Sequence, residues 1–474
     1  MLFNSYVFVG FFILVYALYL MVQRSHRAQN VLLLIASIWF YGYWNWWFLL
    51  LILFTCVNDY TAALWIHRSS SARRRRQVLF AAIAIDLTVL GFFKYFNFFA
   101  DTAVAILGSV GLHADPITLQ LILPLGISFH TFQAMGYTID VYRGRLEPTT
   151  RFADFCLFIA FFPQMIAGPI SLAYNLLPQI LRPRSIRLAQ VNAGLFLILW
   201  GYFQKMVVAD NLAVIANRVF DNYHQYSGAD LLIGVLAFTF QIFCDFAGYS
   251  DIARGLAKLM GFELVVNFKL PYFAINPSDF WSRWHVSLSV WLREHLYIPL
   301  GGNRTPGWLT YRNLMLTMIL GGLWHGASWN FVIWGFFHGA ILVIYRLLRW
   351  DRNYTNPWAG GGAAYPATLL KMGLMFCLTM IGWVIFRSRT VEQIGYILTH
   401  VGFAGSPQTA ALGYDLVFYA GPLILVQLFQ YLRRDLLVLT RLPALLRTSL
   451  YAWMITWIII FGVRESTEFI YFQF

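Results

Sequence analysis

A histidine flanked by glycines is the residue with the clearest capacity for chemistry. His325 lies in the stretch GGLWHGASWN at 321–330, within an otherwise apolar region. Glycine lets backbones approach closely and interrupts a regular helix, which is tolerated where the backbone lines a cavity or packed protein. A neutral imidazole acts as a base or a nucleophile near pH 7 without a metal. His325 is therefore the first catalytic candidate, and the alternative is a histidine that only hydrogen-bonds to a neighbouring helix.

Three more histidines are weaker candidates. His285 lies 40 residues before His325, so the two bracket a loop and half of a hairpin and are able to converge on one pocket. The alternative for His285 is an interfacial position on an amphipathic helix. His338 and His130 lie in apolar runs, and a packing role is favoured for both.

The sequence lacks the common motifs of other enzyme classes. It has no Walker loop, no GxGxxG fingerprint and no GxSxG elbow, so phosphate-driven transport and serine hydrolysis have no support. No HxxxH pair or carboxylate stands at metal-ligand spacing, and no metal site is predicted. Asp86, Asp245 and Asp251 are weaker candidates for a proton relay, the last two on either side of an expected helix break at Gly248.

Composition identifies the environment in which these residues act. The chain has 474 residues, 59% of them hydrophobic and only 12% charged, and its mean hydropathy is +0.62. A soluble domain carries roughly a quarter charged residues, so a soluble enzyme, a disordered chain and a disulfide scaffold are excluded. The 34 Lys and Arg residues exceed the 21 Asp and Glu residues, but they lie in short connections between apolar runs. That distribution indicates membrane orientation and not nucleic-acid binding.

Apolar windows of about 20 residues predict the membrane spans. The sequence therefore predicts an all-α polytopic membrane protein of roughly 10–12 transmembrane helices, because an open backbone in lipid leaves its hydrogen bonds unsatisfied. The windows are 3–21, 30–43, 47–66, 78–99, 118–140, 191–217, 230–249, 311–347 (a hairpin broken by glycines), 366–386, 413–431 and 448–463.

Positive charge orients the predicted bundle, because Lys and Arg accumulate in cytoplasmic loops. With the N-terminus outside, the loops assigned to the outside, 100–117 and 221–229, contain no Lys or Arg. Basic loops flank segment 153–171 on both sides, so it must enter and leave on the same face as a re-entrant element. The loops assigned to the inside contain Arg24, Arg27, Arg68, Arg73, Arg74, Arg75, Arg76, Arg143, Arg145, Arg151, Arg182, Arg184 and Arg187.

The longest departure from the spanning pattern is 251–310, which is too polar to cross and lies on the cytoplasmic side by the charge argument. Asn276 followed by proline is a helix-start signal, and 280–298 then predicts a horizontal amphipathic helix with His285 at the border of its two faces. This helix would lie in the membrane interface or in the cytoplasmic mouth of the bundle. One face would carry Trp281, Trp284, Leu288 and Trp291, and the opposite face Ser282, Ser289 and Arg293.

Three blocks of this sequence resemble the membrane-bound O-acyltransferases, and within them the alginate O-acetylation (AlgI-like) branch. They are PLGISFHTFQAMGYTIDVYRG at 124–144, FWSRWHVSLSVWLREHLYIPLGGNR at 280–304 and GGLWHGASWNFVIWGFFHG at 321–339. FFPQMIAGPI and the terminal EFIYFQF are also similar to that branch. The resemblance implies one domain over 1–474, with a helical bundle around a central funnel. It also implies that His325 matches the essential histidine of the family and His285 its second conserved polar position.

The resemblance further implies an activity. Members of the branch take acetyl from a cytoplasmic acyl-CoA donor, acetyl-CoA, and pass it outward to a periplasmic or extracellular SGNH-type O-acetyltransferase that modifies a polysaccharide. Alginate, cellulose and peptidoglycan are served by similar proteins, and the D-alanyl branch passes D-alanine to teichoic acid instead. No bound cofactor is expected, and the expected location is the bacterial cytoplasmic (inner) membrane. A transporter or flippase of an acylated carrier and a scaffold for the outer transferase are the alternatives, although no internal repeat typical of transporters is visible.

Under this resemblance, each candidate residue has an expected role. His325 would form an acyl-imidazole or act as general base, and the sequence leaves both open. His285, with Ser282 or Ser289, would orient the thioester or polarise its carbonyl. Four cations would bind the phosphates of coenzyme A, with simple membrane anchoring as the alternative. These cations are Arg283, Arg293, Arg304 and Lys269, and Trp324 and Asn330 beside His325 complete the predicted donor-binding set.

Overall fold

The computed structural model describes residues 1–112, 115, 118–119, 122–165, 168–350 and 365–463. Within these ranges the regular secondary structure is helical and no strand occurs. The chain divides into two compact units. The first consists of residues 1–187 with the short later segments 257–265 and 326–328, and the second contains the rest. The prediction of an all-α polytopic membrane protein is confirmed, and the single domain over 1–474 stays a prediction.

Eight helices begin in the first unit. Serine side chains cap three of them, because Ser5, Ser25 and Ser71 each accept a hydrogen bond from a backbone N–H three residues later. The helices are α1 (Tyr6–Met21), α2 (His26–Asn45), α3 (Phe48–Arg68), α4 (Ala72–Ser109, with a π-helical turn at Gly91–Tyr95), α5 (Ile127–Tyr142), α6 (Phe152–Ala160), α7 (Phe162–Met165) and α8 (Ala173–Leu181).

Segment 153–171 forms short, buried helices within the first unit. Helix α6 has 9 residues and α7 has 4, so neither is long enough to cross a bilayer, which needs about 20 residues. Most of their side chains are buried, and Asn30 donates from Nδ2 to Asp154 Oδ1 at 2.9 Å. The broken, protein-buried form expected of a re-entrant element is present, although residues 166 and 167 lie outside the described ranges.

The second unit contains the remaining helices. Two of them, α11 and α12, are only 7 residues long and lie between the longer ones. The helices are α9 (Leu188–Asp221, with a π-helical segment at Phe203–Ala209), α10 (Gly228–Leu259), α11 (Pro277–Arg283), α12 (Val286–Leu292, followed by a π-helical turn at Arg293–Tyr297), α13 (Gly307–His325), α14 (Trp329–Leu347), α15 (Tyr365–Arg387), α16 (Val391–His400), α17 (Thr409–Arg433) and α18 (Ala444–Phe461).

Eight helices of the described ranges are long and apolar enough to cross a membrane. The other predicted windows contain the helices α1, α2, α5 and α13, which are shorter or less apolar, and α5 covers window 118–140 only from Ile127. The number of 10–12 crossings therefore stays a prediction. The eight are α3, α4, α9, α10, α14, α15, α17 and α18.

Helices α9 and α10 cross at paired glycines. A Cβ on Gly248 would lie 2.7 Å from the carbonyl oxygen of Gly201, and one on Gly255 would lie 2.6 Å from that of Gly194. The glycines therefore permit backbone contact between the two helices. The expected break at Gly248 is wrong, because α10 runs unbroken for 32 residues. For the same reason residues 251–259 are the end of a long helix and not part of a separate polar segment.

Candidate active site

His325 lies at the end of the hairpin formed by α13 and α14. Gly322 and Gly335 bring the two helices into backbone contact, since a Cβ on Gly322 would lie 2.2 Å from the carbonyl oxygen of Phe331. The predicted hairpin and the predicted close approach are both present. The expected interruption by glycine is wrong for Gly321 and Gly322, because α13 continues through both and ends at His325 itself.

Aromatic rings surround the His325 imidazole. Its centroid lies 5.0 Å from that of Trp334, 5.1 Å from that of Trp324 and 5.6 Å from that of Phe386, each at a near-perpendicular angle. The side chain is 4% exposed. Edge-to-face contacts of this kind are favourable, and they restrict the orientation of the ring before any substrate binds.

His325 forms part of the wall of a cavity of about 500 Å³. This volume is typical of small-molecule sites, which measure roughly 300–1,000 Å³. Four predicted residues line the same cavity, namely Lys269, Ser282, Ser289 and Arg293. All of these residues belong to the second unit. The sequence prediction therefore identified a histidine, two hydroxyl groups and two cations that the fold brings to one cavity.

The segment that carries His285 is broken into two short helices. Helix α11 begins where predicted, because the Asn276 side chain accepts from the Asp279 N–H at 2.8 Å. The predicted single amphipathic helix is wrong, since α11 ends at Arg283 and α12 begins only at Val286. His285 itself has φ +41°, a left-handed conformation that is strained for a residue with a Cβ.

The break buries residues that an interfacial helix would expose. Trp284 has no exposed surface, and its ring centroid lies 4.7 Å from that of Trp383 and 5.0 Å from that of Phe268. Ser289 and its neighbour Leu288 line the same cavity, so the predicted opposition of their faces is also wrong. The segment is therefore a broken and partly buried element that contributes residues to the cavity wall.

His285 is fully buried and lies beside His325. The two ring centroids are 6.5 Å apart at an angle of 80°, although His285 does not line the cavity. Its Nδ1 accepts a hydrogen bond from the Leu288 N–H at 3.2 Å. A neutral imidazole has one donor and one acceptor nitrogen, so the proton resides on Nε2. Burial lowers the pKa of His285 to about 3, which keeps the ring neutral and makes Nε2–H a hydrogen-bond donor.

Four predicted donor-binding residues do not line the cavity. Arg283 is buried and forms an ion pair with Asp279 at 2.6 Å. Arg304 is exposed. Trp324 packs against both histidines, with its centroid 5.9 Å from that of His285, and Asn330 donates to the carbonyl of Ser388. The residue types of these four do not indicate that they lie outside the cavity wall.

The remaining sequence candidates lie elsewhere. His338 is buried between Trp281 and Trp334, with centroid distances of 5.1 and 4.6 Å, and His130 is buried on α5 in the first unit. Asp245 lies 2.7 Å from Lys205 Nζ, a charged partner that the sequence did not indicate. Asp251 pairs with Arg254, also at 2.7 Å.

Sequence reasoning missed several residues of the site. Trp281, Tyr297 and Trp334 line the cavity, yet tryptophan and tyrosine are so frequent here that their identity gave no signal. The buried carboxamide of Asn267 accepts two hydrogen bonds from Ser287, two residues after His285. Only the structure reveals this contact. In the part of the chain that the structure describes, no three His, Cys, Asp or Glu side chains cluster as metal ligands do.

Comparison with known proteins shows the family to which this chain belongs. Residues 147–359 match the model of the membrane-bound O-acyltransferase family. The chain is 42% identical over 399 residues to the probable alginate O-acetylase AlgI of Azotobacter vinelandii, covering 83% of this chain and 76% of that protein. It is 36% identical over 424 residues to the peptidoglycan O-acetyltransferase of Helicobacter pylori, covering 83% and 78%. A more distant relative is the teichoic acid D-alanyltransferase of Bacillus subtilis, 27% identical over 57% of this chain and 70% of that protein. The resemblance seen in the sequence is confirmed: this chain is a multi-pass membrane O-acyltransferase and belongs to the membrane-bound O-acyltransferase family.

Proposed function

We propose that this protein transfers acetyl groups from cytoplasmic acetyl-CoA and relays them across the bacterial inner membrane for O-acetylation of an exported polysaccharide. The names of the alginate and peptidoglycan relatives support a polysaccharide acceptor. The main observation behind this proposal is that His325, two serines and two cations line one cavity of about 500 Å³. The positive loops support an orientation with the N-terminus outside and this cavity entered from the cytoplasm.

In this proposal the two cations of the cavity bind the donor. Lys269 and Arg293 are both exposed and both line the cavity, so their charged groups are accessible to the phosphates of coenzyme A. Charge-assisted hydrogen bonds to phosphate are among the stronger polar contacts of proteins. The acetyl end of the donor would then extend along the cavity toward His325.

His325 acts on the acetyl group in one of two ways. As a nucleophile, its imidazole nitrogen attacks the thioester carbonyl, the C–S bond breaks, and the acetyl-imidazole then passes the acetyl group to an acceptor hydroxyl. As a general base, it takes the hydroxyl proton while the hydroxyl oxygen attacks the thioester directly. In both routes the coenzyme A thiolate leaves and takes up a proton, and the acetyl group ends on the acceptor oxygen.

His285 serves as a donor and not as a base. Its Nδ1 lone pair already accepts the Leu288 N–H, so Nε2–H is the group available for polarising a carbonyl or stabilising an oxyanion. A preorganised donor of this kind acts most strongly on the charge that develops in the transition state. The proposal therefore divides the work, with nucleophile or base at His325 and a neutral donor at His285.

An assay on purified protein tests this function. Proteoliposomes receive radiolabelled acetyl-CoA, an SGNH-type transferase on the opposite face, and oligosaccharides of alginate, cellulose or peptidoglycan in separate reactions. We expect free coenzyme A thiol and labelled oligosaccharide in equal amounts with one of the three acceptors. Uptake of label without thiol release would support the transporter alternative. Activity with a D-alanyl donor in place of acetyl-CoA would move the protein to the teichoic acid branch.

Acetylation that persists with His325→Ala at normal protein level would contradict a catalytic role and support the scaffold alternative. Quenched reactions analysed by mass spectrometry separate the two routes of His325. An acetyl group on His325 supports the acyl-imidazole, and its absence during rapid turnover supports general base catalysis.

A further inference from the structure

The backbone at His285 needs an explanation of its own. A non-glycine residue with positive φ persists only where its surroundings hold it in place, and His285 has φ +41°. Neither glycine nor proline occurs between Ser278 and Ile298 to favour such a break. The force that sets the conformation must therefore come from contacts with another part of the chain.

Asn267 makes these contacts on the C-terminal side of the break. Its backbone carbonyl accepts from the Val286 N–H at 2.9 Å. Its side-chain Oδ1 accepts from both the N–H and the Oγ–H of Ser287, at 3.2 and 3.0 Å. One residue thus holds the two positions that follow His285 through three hydrogen bonds.

The same carboxamide is anchored on its other side. Asn267 Nδ2 donates to Ser250 Oγ of α10 at 3.2 Å, and the residue is 1% exposed. A carboxamide combines an acceptor oxygen with two lone pairs and a donor NH2 group, so both ends of the side chain are used. Alanine would lose every one of these side-chain bonds.

The N-terminal side of the break is held by the segment that follows Asn267. The Lys269 N–H donates to the Arg283 carbonyl at 2.9 Å, and Arg283 is itself fixed by Asp279. Residues 267–269 therefore run alongside 283–287 and bracket Trp284 and His285. Asn267→Ala would remove both hydrogen bonds that Ser287 donates to the Asn267 side chain and keep the backbone bond from the Val286 N–H.

We propose that Asn267 is a positioning residue for His285. By fixing Val286 and Ser287, it keeps the start of α12 in register, so that the Leu288 N–H continues to occupy His285 Nδ1 and the proton stays on Nε2. This inference rests on the proposed function. Its specific content is that Asn267 contributes to acyl transfer only through the orientation and tautomer of His285.

A double-mutant cycle tests this dependence. Asn267→Ala should lower kcat about 10- to 100-fold, since a small misplacement of a catalytic group has effects of that order, and leave KM for acetyl-CoA within about twofold. In a His285→Ala background, the same substitution should lower kcat by less than about twofold, because coupled residues are non-additive. A loss from Asn267→Ala that multiplies that of His285→Ala would overturn the proposal, as would no loss at all.

Two further variants keep the result interpretable. Asn211→Ala is the matched control, since Asn211 also donates from its carboxamide to a helix carbonyl, that of Phe461 at 2.9 Å, away from His285. It should leave kcat within about twofold. Ser250→Ala removes the anchor of the Asn267 side chain and should give a smaller loss, again absent with His285→Ala. It therefore decides the question if Asn267→Ala lowers the yield of folded protein.

The outcome for the proposed function remains separate. Normal acetyl transfer by both His325→Ala and His285→Ala would contradict the proposed catalytic site itself. Loss of activity in those two variants, together with normal activity of Asn267→Ala and Ser250→Ala, would overturn only the role of Asn267.

Discussion

The two histidines of the site are held by different physical means. His325 ends a regular 19-residue helix whose contact with α14 depends on glycine backbones. His285 occupies a left-handed break between two 7-residue helices. The hydrogen bonds that hold this break join Ser287 to the side chain of Asn267. Close packing fixes the first residue through many small contacts, whereas a few polar bonds fix the second. Substitutions at the packing contacts of the hairpin should therefore mainly change protein stability. Substitutions in the broken segment should mainly change the rate of reaction.

The largest expected effect is on the hairpin. Gly322→Ala puts a Cβ 2.2 Å from the Phe331 carbonyl oxygen, and a backbone atom cannot move aside as a side chain does. Overpacking costs about 1–3 kcal/mol or more, so the melting temperature in detergent should fall by a few degrees. Gly373→Ala is the matched control, because nothing lies within 4 Å of its Cβ. Equal melting temperatures for the two variants would contradict the account of the hairpin.

The second effect is on rate, and it belongs to the broken segment. His285→Ala should lower kcat about 10- to 100-fold, in protein that still folds, because the variant loses a preorganised donor. His338→Ala should instead lower the melting temperature and keep a near-normal kcat, because the His338 ring packs between Trp281 and Trp334. Steady-state kinetics and thermal melts of both proteins make the comparison. If His338→Ala loses as much kcat as His285→Ala, the division between packing and catalysis is incorrect.

A smaller effect separates two arginines of one charge. Arg293 lines the cavity and Arg304 does not, so Arg293→Ala should raise KM for acetyl-CoA by about 3- to 10-fold through loss of a phosphate contact. Arg304→Ala should leave KM within about twofold. The measurement is initial rate against acetyl-CoA concentration at low salt. Equal KM values would indicate that neither cation contacts the donor.

The smallest expected effect is on pH dependence. Burial lowers the pKa of His285 from 6.5 to about 3, so the ring stays neutral across pH 5–8 and should add no step to the rate profile there. His285→Gln should lower kcat without changing the shape of that profile. The unfolded chain takes up this proton near pH 6.5 and the folded protein only near pH 3. The contribution to stability is therefore complete above pH 6.5 and is lost as pH falls toward 3. An acid limb that disappears in His285→Gln would contradict a neutral donor.

Much of this fold follows from sequence because long helices have a simple signal. In the part of the chain that the structure describes, every predicted apolar window contains a helix, although that of window 118–140 begins only at Ile127. The cap at Asn276 and the hairpin that carries His325 follow from local residue types. The break after Arg283 has no such signal, since the run from 280 to 298 has helical periodicity and lacks glycine and proline. Tertiary hydrogen bonds override local preference there.

The composition of the site shows the same limit. His325 was identifiable because glycines surround it in an apolar run. Arg283 and Arg293 are alike in sequence, yet one is buried against Asp279 and the other lines the cavity. Asn267 lies 18 residues before His285 in a stretch without a motif. Contacts between residues distant along the chain decide these roles, and no periodicity records them.

The central claim is that His325 performs the chemistry of acyl transfer. The most direct test compares His325→Ala with the unmodified protein in the radiolabelled acetyl-CoA assay, at equal amounts of folded protein. We predict a loss of about 100-fold or more in coenzyme A release and in labelled acceptor, in a variant that still folds. Near-normal transfer by His325→Ala would contradict the claim and assign the reaction to another residue or another protein.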